Sequence, residues 1–317
     1  MKDATRLTRL GRPHDDRGLV NPSIERGSTI LAPSAAQLYN FPEGRPHYGR
    51  VGLESQRSLR AALCELQGGA GCALTCSGMM ANTLSILTAV TAGGRVLVSD
   101  SVYGPVRGFV LNTLPRYGVT ATFYDPHIGP EIDGLMTDDV QAILLESPGS
   151  LTMELQDVPM IAEIARRKGV ISIIDDTWSA GLTFKPLQMG VDLAVQALTK
   201  HAGGHSDVMM GAVVARDEVM ADRLREMERG LGIVTAPDDS YLILRGLRTL
   251  ELRMQRAAQS SLRIADWLSS RSEIGSILHP AHPSHPDHQL FKRDFTGSCG
   301  LFSVTFREWN NKHSIRF

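Results

Sequence analysis

The chain has 317 residues, of which 42% are hydrophobic and 21% charged, and its formal net charge is −1. This composition is ordinary for a globular protein, and the balanced charge gives no reason to expect nucleic acid or a membrane surface as a partner. No apolar run approaches the roughly 20 residues that cross a bilayer. The four cysteines follow no disulfide or zinc pattern, so we expect reduced core thiols, no metal site and a cytoplasmic protein.

Residues 1–55 have no strong hydrophobic periodicity and are rich in Arg, Pro and Gly, which favours an extended arm that reaches a neighbouring subunit. Residues 56–216 alternate between amphipathic helices and short apolar strands. The predicted strands are CALTC, RVLVSD, TATFYD, AILLES, VISIIDD, LAVQAL and MMGAVVA. Repeated β-α-β units with near-continuous apolar strands predict an α/β fold, with a mainly parallel seven-stranded sheet and helices on both faces.

The hydrophobic pattern of residues 217–317 predicts a smaller, incomplete α+β domain at the C-terminus. We expect helices over about 217–231 and 238–270, a strand near 274–279 and a second apolar run over 299–306. The three predicted parts are therefore an arm, a large sheet domain and a small domain.

A lone lysine, Lys200, follows the apolar segment LAVQAL and precedes a loop that contains two glycines, two histidines and an aspartate. An unpaired ammonium is costly to bury, so a lysine at the end of a buried strand needs either an ion pair or a reactive role. As metal ligands His201 and His205 would need further partners, so we expect structural roles for both.

Other polar residues follow the predicted strands at the same edge, where ligands bind in open parallel sheets. The run Ser77–Met79 opens a helix whose free N–H groups suit a phosphate, although a plain serine N-cap explains it as well. Asp175 ends the strand VISII, with an N-cap as the alternative role. Tyr103 precedes a helix and could be an ordinary packing aromatic, and Thr199 offers a hydroxyl nearby.

One cofactor, pyridoxal 5′-phosphate, would use all of these groups. Lys200 would form a Schiff base with its aldehyde and later act as the general base. Asp175 would pair with the pyridinium nitrogen, and Tyr103 would stack on the ring. The phosphate would be bound by Gly78, Met79 and Thr199.

The run Thr199-Lys200-His201 with Gly204-His205-Ser206-Asp207 resembles the T-K-[YH]-x-x-G-H-S-D signature of the Cys/Met-metabolism family of pyridoxal-phosphate enzymes. Further motifs are similar to the family in order and spacing: Tyr48-Gly49-Arg50, Ser77-Gly78-Met79, Tyr103-Gly104 and Glu146-Ser147-Pro148. The stretches ESPGSLTMELQDVP, DDTWSAG and YGPVRGF are similar to the β-acting lyases of the family rather than to its γ-acting members.

The resemblance implies the aminotransferase type I fold and a carbon–sulfur β-lyase. Such an enzyme cleaves an amino-acid thioether, L-cystathionine, to homocysteine, pyruvate and ammonia, with homocysteine going to methionine. The resemblance also implies a dimer of dimers, in which Tyr48 and Arg50 cross to the partner subunit. Arg50 would bind the cofactor phosphate there, and Tyr48 would lie near the substrate amine. A surface loop is the plain alternative for both residues. A γ-acting family member and an inactive cofactor-binding fragment are the alternative functions.

Three departures from the family pattern are visible. Asp176 stands where the family usually has Asn, and Ala197 stands where many relatives have a Ser that helps bind the phosphate. The family's arginine for the substrate α-carboxylate normally comes after the position where this sequence ends. We therefore expect a C-terminally truncated chain, in which neither Arg307 nor Arg316 replaces that arginine.

Overall fold

The computed structural model describes residues 3–13, 18–40 and 46–307 of the chain. Its sheet strands are β1 (Gly71–Thr75), β2 (Arg95–Ser99), β3 (Thr120–Tyr124), β4 (Val140–Glu146), β5 (Ile171–Asp175), β6 (Leu193–Gln196) and β7 (Gly211–Ala215). They form one sheet in the order β1-β7-β6-β5-β4-β2-β3. Only the pairs that involve β7 are antiparallel. The prediction of a mainly parallel seven-stranded sheet is confirmed.

The N-terminal segment is not extended throughout, which corrects the expectation of an extended arm. It begins with the short helix α1 (Asp3–Leu7), and Leu7 and Leu10 are buried in the main hydrophobic cluster, 1% and 2% exposed. A second short helix, α2 (Ala35–Tyr39), has no buried residue. Residues 14–17 and 41–45 of the predicted arm lie outside the described residues. Leu7 and Leu10 therefore attach this segment to the core by apolar burial.

Helices cover both faces of the sheet because the strand residues are apolar on both sides. On β2, for example, Val96 and Val98 belong to one hydrophobic cluster and Leu97 to the other. The Leu97 cluster is covered by α3 (Glu54–Gln67), α6 (Ile132–Leu135), α7 (Val158–Lys168), α9 (Pro237–Leu247) and α10 (Leu250–Ser269). The opposite cluster is covered by α4 (Gly78–Ala89), α5 (Gly104–Asn112) and α8 (Glu218–Gly230). Continuous apolar strands thus give a sheet with two buried faces.

The helix predicted over 238–270 is in fact two helices, separated at residues 248–249. The backbone of Gly246 lies against the turn that follows β6: a Cβ at Gly246 would be 2.1 Å from the carbonyl oxygen of Ala202. The Gly246 carbonyl accepts the N–H of Thr249, three residues on, at 3.1 Å. The α-helical hydrogen-bond pattern therefore ends there. Glycine and threonine are both weaker helix formers than alanine. The hydrophobic pattern nevertheless continues across the break, so the sequence alone does not reveal it.

The outer edge of β1 is closed by an ion pair between α3 and α8. Arg60 and Glu228 lie 2.9 Å apart. Arg60 also donates to the carbonyl of Cys72 at 2.8 Å, and Glu228 accepts the N–H of Leu74 at 3.2 Å. These contacts occupy backbone groups of an edge strand that would otherwise be open to another chain.

The C-terminal portion contains the antiparallel pair β8 (Ile274–Leu278) and β9 (Ser303–Phe306), with α11 (His288–Asp294) between them. Residues 274–279 were predicted as a strand. The second apolar run forms a strand only from Ser303, and α11 was not predicted. Residues 308–317, which include Arg316, lie outside the described residues.

The connection from β8 to α11 repeats the tripeptide His-Pro-X three times. At each repeat the histidine Nδ1 accepts the backbone N–H two residues on, at 3.2, 3.2 and 3.1 Å for His279, His282 and His285. An accepting Nδ1 is an unprotonated one, so these contacts favour a ring whose proton is on Nε2. In the last repeat Asp287 accepts the N–H of Leu155 at 2.9 Å, which attaches this connection to the sheet domain.

Candidate active site

Two carboxylates lie side by side at the carboxyl edge of the sheet. Glu146 ends β4 and Asp175 ends β5, and the two residues are register partners. Asp175 accepts hydrogen bonds from the side-chain amide of Asn82 on α4, at 2.8 Å, and from the N–H of Thr177, at 3.0 Å. These two donors hold the carboxylate in place at the end of β5. Asp175 is thus positioned as predicted, and Asn82 is a partner that sequence reasoning missed.

Lys200 lies in the turn after β6, and its amine faces the aromatic ring of Tyr103. The Lys200 Nζ is 5.5 Å from the centre of that ring. Tyr103 immediately precedes α5 and is 41% exposed. Among the residues that the structure describes, no carboxylate lies within 4.0 Å of the lysine amine. The ion-pair explanation for Lys200 therefore has no partner in this part of the chain, whereas a reactive amine needs none.

Glu146 links the tyrosine to the loop after β4. One carboxylate oxygen accepts the backbone N–H of Tyr103 at 2.7 Å, and the other accepts the hydroxyl of Ser150 at 2.5 Å. Burial, with the charge of Asp175 adding to it, raises the pKa of Glu146 to about 8 despite these hydrogen bonds and Lys200. Two sequence features pointed to this residue: its position at the end of a predicted strand and the motif Glu146-Ser147-Pro148.

The start of α4 provides a candidate phosphate site. The Ser77 hydroxyl accepts the N–H of Met80 at 3.1 Å, which is the N-cap that the sequence left open as its alternative. The N–H groups of Gly78 and Met79, in the first turn, have no acceptor among the described residues. Only glycine fits at position 78, because a Cβ there would be 2.5 Å from the Cβ of Ala197.

Thr199 is close to this site, but its hydroxyl is already used within the chain. The hydroxyl donates to the carbonyl of Met210 at 3.1 Å and accepts the N–H of Met210 at 3.0 Å. A hydroxyl has one proton to donate, so a phosphate would have to compete with that carbonyl. The phosphate-binding role of Thr199 stays a prediction.

Tyr48 and Arg50 lie apart from this group. Tyr48 is 42% exposed and forms an isolated β-bridge with Thr29. The guanidinium of Arg50 donates to the carbonyl of Arg229 at the end of α8, at 3.3 Å. Within the described residues neither side chain contacts Lys200, so neither completes the site of its own chain.

A cleft of about 800 Å³ opens beside the lysine. Its lining includes Thr199, Lys200, His201, Ser206, Asp207, Met209 and Arg253. Burial and the adjacent cations Arg253 and Lys200 lower the pKa of His201 to about 4, so this histidine is neutral at pH 7. His205 donates from Nδ1 to the carbonyl of Gly203 at 2.8 Å. Structural roles for both histidines stay a prediction. The cleft is large enough for a small amino acid beside a ring-shaped cofactor.

These residues fit pyridoxal phosphate as a group. An amine lies over an aromatic ring, a carboxylate held by two donors ends the neighbouring strand, and a glycine lets a helix N-terminus approach the strand ends closely. The cofactor presents an aldehyde, a ring nitrogen that carries a proton, a flat ring and a phosphate. Each of these has a chemically matching group at this edge of the sheet.

A profile of the family described as Cys/Met metabolism PLP-dependent enzymes matches residues 4–316. The chain belongs to this family. The family motifs, the fold and pyridoxal phosphate as the cofactor are thereby confirmed as predicted.

Curated relatives in the family include two bacterial lyases. The cystathionine beta-lyase MetC of Escherichia coli is 38% identical over 318 residues, 98% of this chain and 80% of that protein. The cystathionine beta-lyase of Haemophilus influenzae is 40% identical over 293 residues, 90% of this chain and 74% of that protein. Among solved structures, cystathionine gamma-lyase from Lactobacillus plantarum complexed with L-serine superposes with a TM-score of 0.91 at 27% identity. The superposition covers 97% of this chain and 79% of the gamma-lyase chain.

Asp176, which departs from the family pattern, is buried in the loop after β5. Its carboxylate is 1% exposed and accepts the hydroxyl of Ser179 at 2.5 Å and the N–H of Gly181 at 3.0 Å. Burial raises the pKa of Asp176 to about 8 despite these donors, so the group is mainly protonated at pH 7. In this chain the departure therefore adds little charge beside Asp175.

In the described part of the chain, no helix combines the length and apolarity that crossing a bilayer requires.

Proposed function

We propose that the chain is a pyridoxal-phosphate-dependent carbon–sulfur lyase that cleaves L-cystathionine to homocysteine, pyruvate and ammonia by α,β-elimination. The observation that carries the proposal is the amine of Lys200 over the ring of Tyr103 at the edge where Asp175 ends its strand. The family membership supplies the cofactor, and the two β-lyase relatives favour this substrate and reaction.

The cofactor, when bound, withdraws electrons from the substrate α-carbon and so makes its proton removable. Lys200 is the residue that removes this proton, because its amine lies at the cleft and no carboxylate among the described residues pairs with it. The thiolate at the β-carbon then leaves. The lysine ammonium formed by this transfer can return a proton to it.

The remaining side chains orient and bind. Asp175 keeps a proton on the ring nitrogen, since its own charge is stabilised by Asn82 and Thr177. Tyr103 stacks on the ring, and its exposed face leaves room for it. The phosphate lies at the start of α4, bound by Gly78, Met79 and Thr199.

Tyr48 and Arg50 complete the site of a neighbouring subunit in a homo-oligomer, a dimer of dimers. Two observations support this part of the proposal. Both residues lie away from the lysine of their own chain, and the N-terminal segment that precedes them exposes large apolar side chains, among them Leu31 (83%) and Tyr39 (86%). We further propose a cytoplasmic protein with an arm at 1–55, a cofactor-binding domain at 56–216 and a small domain at 217–317.

Elimination at the γ-carbon is the second candidate. It is favoured by the similarity to the gamma-lyase structure, whose fold matches this chain along 97% of its length. The two reactions begin with the same proton transfer by Lys200 and differ in the carbon that loses its sulfur. They therefore release different ketoacids.

Ketoacid release from L-cystathionine, measured with the purified chain loaded with pyridoxal phosphate, tests the proposal. Pyruvate is the expected product. 2-Oxobutyrate would assign the chain to the γ-acting enzymes instead. A chain that binds the cofactor covalently at Lys200 yet releases no ketoacid would be a cofactor-binding protein, and the lyase proposal would be wrong.

A further inference from the structure

Arg253, in the first turn of α10, binds the turn that carries Lys200. Its guanidinium donates to the carbonyls of His201 at 2.7 Å, Gly246 at 2.7 Å and Ala202 at 3.4 Å. Its Nε donates to the hydroxyl of Thr249 at 3.0 Å. One side chain therefore joins the turn after β6 to the junction between α9 and α10.

The choice of partners is unusual for a half-buried arginine, which usually pairs with a carboxylate. Within residues 3–13, 18–40 and 46–307, no acidic group lies within 4.0 Å of the Arg253 guanidinium. Burial lowers its pKa with no acidic neighbour to oppose it. Carbonyl dipoles replace the counter-ion, and one of them, Gly246, belongs to the last turn of α9, where carbonyls lack helical partners.

The turn is shaped to meet the guanidinium. Gly204 has φ +78°, and a Cβ on it would lie 2.2 Å from Nη1 of Arg253. Its N–H donates to the carbonyl of Lys200 at 2.8 Å, which closes the turn. Glycine is required here both by the backbone angle and by the close contact.

We propose that Arg253 is the positioning residue for Lys200: it fixes the turn from His201 to Gly204 and so sets the direction in which the lysine amine meets the substrate α-proton. The inference rests on the proposed role of Lys200 as the base. A planar fork of donors is needed to reach three carbonyls at once, and a lysine ammonium at position 253 has no such geometry. Small errors in the placement of a reacting group cost large factors in rate.

The test compares Arg253→Lys with Arg256→Lys, an exposed arginine on the same helix. The first measurement is backbone amide exchange by mass spectrometry on the cofactor-free protein, over the peptide that contains residues 198–210. The second is the exchange of the α-hydrogen of L-alanine with deuterated solvent, measured on the loaded protein. L-Alanine has no β leaving group, so this exchange reports proton transfer by Lys200 whether or not the chain eliminates from cystathionine.

We expect Arg253→Lys to raise amide exchange in this peptide about 10-fold or more and to slow α-hydrogen exchange at saturating L-alanine by about 10-fold or more. The L-alanine concentration for half-maximal rate and the cofactor affinity should stay within about 3-fold. Arg256→Lys should change neither exchange measurement.

Unchanged amide exchange would overturn the proposal. A variant that raises only the L-alanine concentration for half-maximal rate, and leaves the rate at saturation unchanged, would also overturn it. That result would mean that Arg253 binds the substrate directly from its place in the cleft. Should Arg253→Lys fail to fold, Thr249→Val removes the acceptor of Nε, together with the hydroxyl's own long donation to the Gly246 carbonyl at 3.3 Å. A 2- to 3-fold slower α-hydrogen exchange in that variant supports the proposal, and an unchanged rate overturns it.

Discussion

Two consecutive aspartates lie in regions with opposite chemistry. Asp175 ends β5 at the carboxyl edge of the sheet and is partly exposed, and its donors are a side-chain amide from another helix and one backbone N–H. Asp176 is buried in the loop after β5, where its donors are the hydroxyl of Ser179 and the N–H of Gly181. One carboxylate lies at the edge where the proposed cofactor would bind, and the other is enclosed by its own loop.

The difference shows that the accessibility of the carboxylate to a ligand, rather than the residue type, decides what each aspartate does. The Asp176 carboxyl has both oxygens engaged inside its own loop, and burial raises its pKa to about 8. Its function is to hold the loop after β5. Asp175 has the same side chain one residue earlier, but it is partly exposed at the sheet edge, so a cationic ligand group can reach it.

Lys200→Ala gives the largest effect, since it removes both the attachment point of the cofactor and the base. We expect ketoacid release to fall by about 10⁴-fold or more. Borohydride reduction of the loaded native chain should leave a cofactor mass on the peptide containing residue 200, and the variant should carry none. Lys168→Ala, at the end of α7, is the matched control. A covalent adduct on another lysine would contradict the assignment.

Asp175→Asn and Asp176→Asn make the same change in the two regions. An amide at 175 cannot keep a proton on the ring nitrogen, so we expect about a 100-fold or greater loss of ketoacid release. Asparagine at 176 is similar in shape to the protonated aspartate: its oxygen can accept from Gly181 and its amide can donate to Ser179. Activity should therefore stay within about 3-fold. Equal losses in both variants would show that the two regions are not functionally separate.

The pH dependence of stability should change in the Asp176→Asn variant, because this substitution removes a buried titrating group. The ordinary pKa of an aspartate is 3.8, and that of Asp176 in the folded chain is about 8. Between these values the folded state keeps a proton that the unfolded state has lost, so the free energy of unfolding falls as pH rises. The slope is up to about 1.4 kcal/mol per pH unit.

Asn cannot titrate, so the Tm of Asp176→Asn minus that of the native chain should become more positive from pH 5 to pH 8. Glu146, whose pKa is also raised, is present in both proteins and cancels from this difference. Thermal unfolding of the cofactor-free proteins at several pH values measures it. A difference that stays constant with pH would mean that Asp176 is already ionised in the fold.

The strand ends could be read from the sequence because each strand is a continuous apolar run with a polar residue after it. Asp175, Lys200 and Tyr103 were placed correctly for that reason. Asn82 could not be predicted as the partner of Asp175, because the contact joins residues 93 positions apart on two separately predicted elements. The helix break at residues 248–249 was missed for a related reason, since its cause is the packing of Gly246 against a distant turn.

Glu146 shares a feature with each aspartate. Like Asp176 it is buried, and like Asp175 it lies beside the proposed cofactor site, because its carboxylate accepts the N–H of Tyr103, the residue that would stack on the cofactor. Glu146→Ala leaves the N–H of Tyr103 without its acceptor, and we expect about a 10-fold weaker affinity for pyridoxal phosphate. Glu146→Gln keeps an acceptor for that N–H and a donor for Ser150, so its affinity should stay within about 3-fold. Equilibrium dialysis measures both, with Glu163→Ala on the exposed surface of α7 as the control. A Gln variant as weak as the Ala variant would show that the charge of Glu146, rather than its hydrogen bonds, is required.

Ala197→Ser gives the smallest effect and tests the cleft region alone. Ala197 follows β6, its methyl group lies against Gly78 at the start of α4, and its N–H donates to the Thr177 hydroxyl at 2.8 Å. A serine hydroxyl there adds a donor beside the N–H groups of Gly78 and Met79. In such a partly wet site we expect the new hydrogen bond to contribute the lower part of the usual net range, about 0.5 to 1 kcal/mol, so the affinity for pyridoxal phosphate should rise about 2- to 5-fold. Equilibrium dialysis at constant phosphate concentration measures the change, and free phosphate should compete more strongly with the cofactor in the variant. An unchanged affinity would mean that the N-terminus of α4 already satisfies the phosphate, and that the family's serine at this position is not needed in this chain.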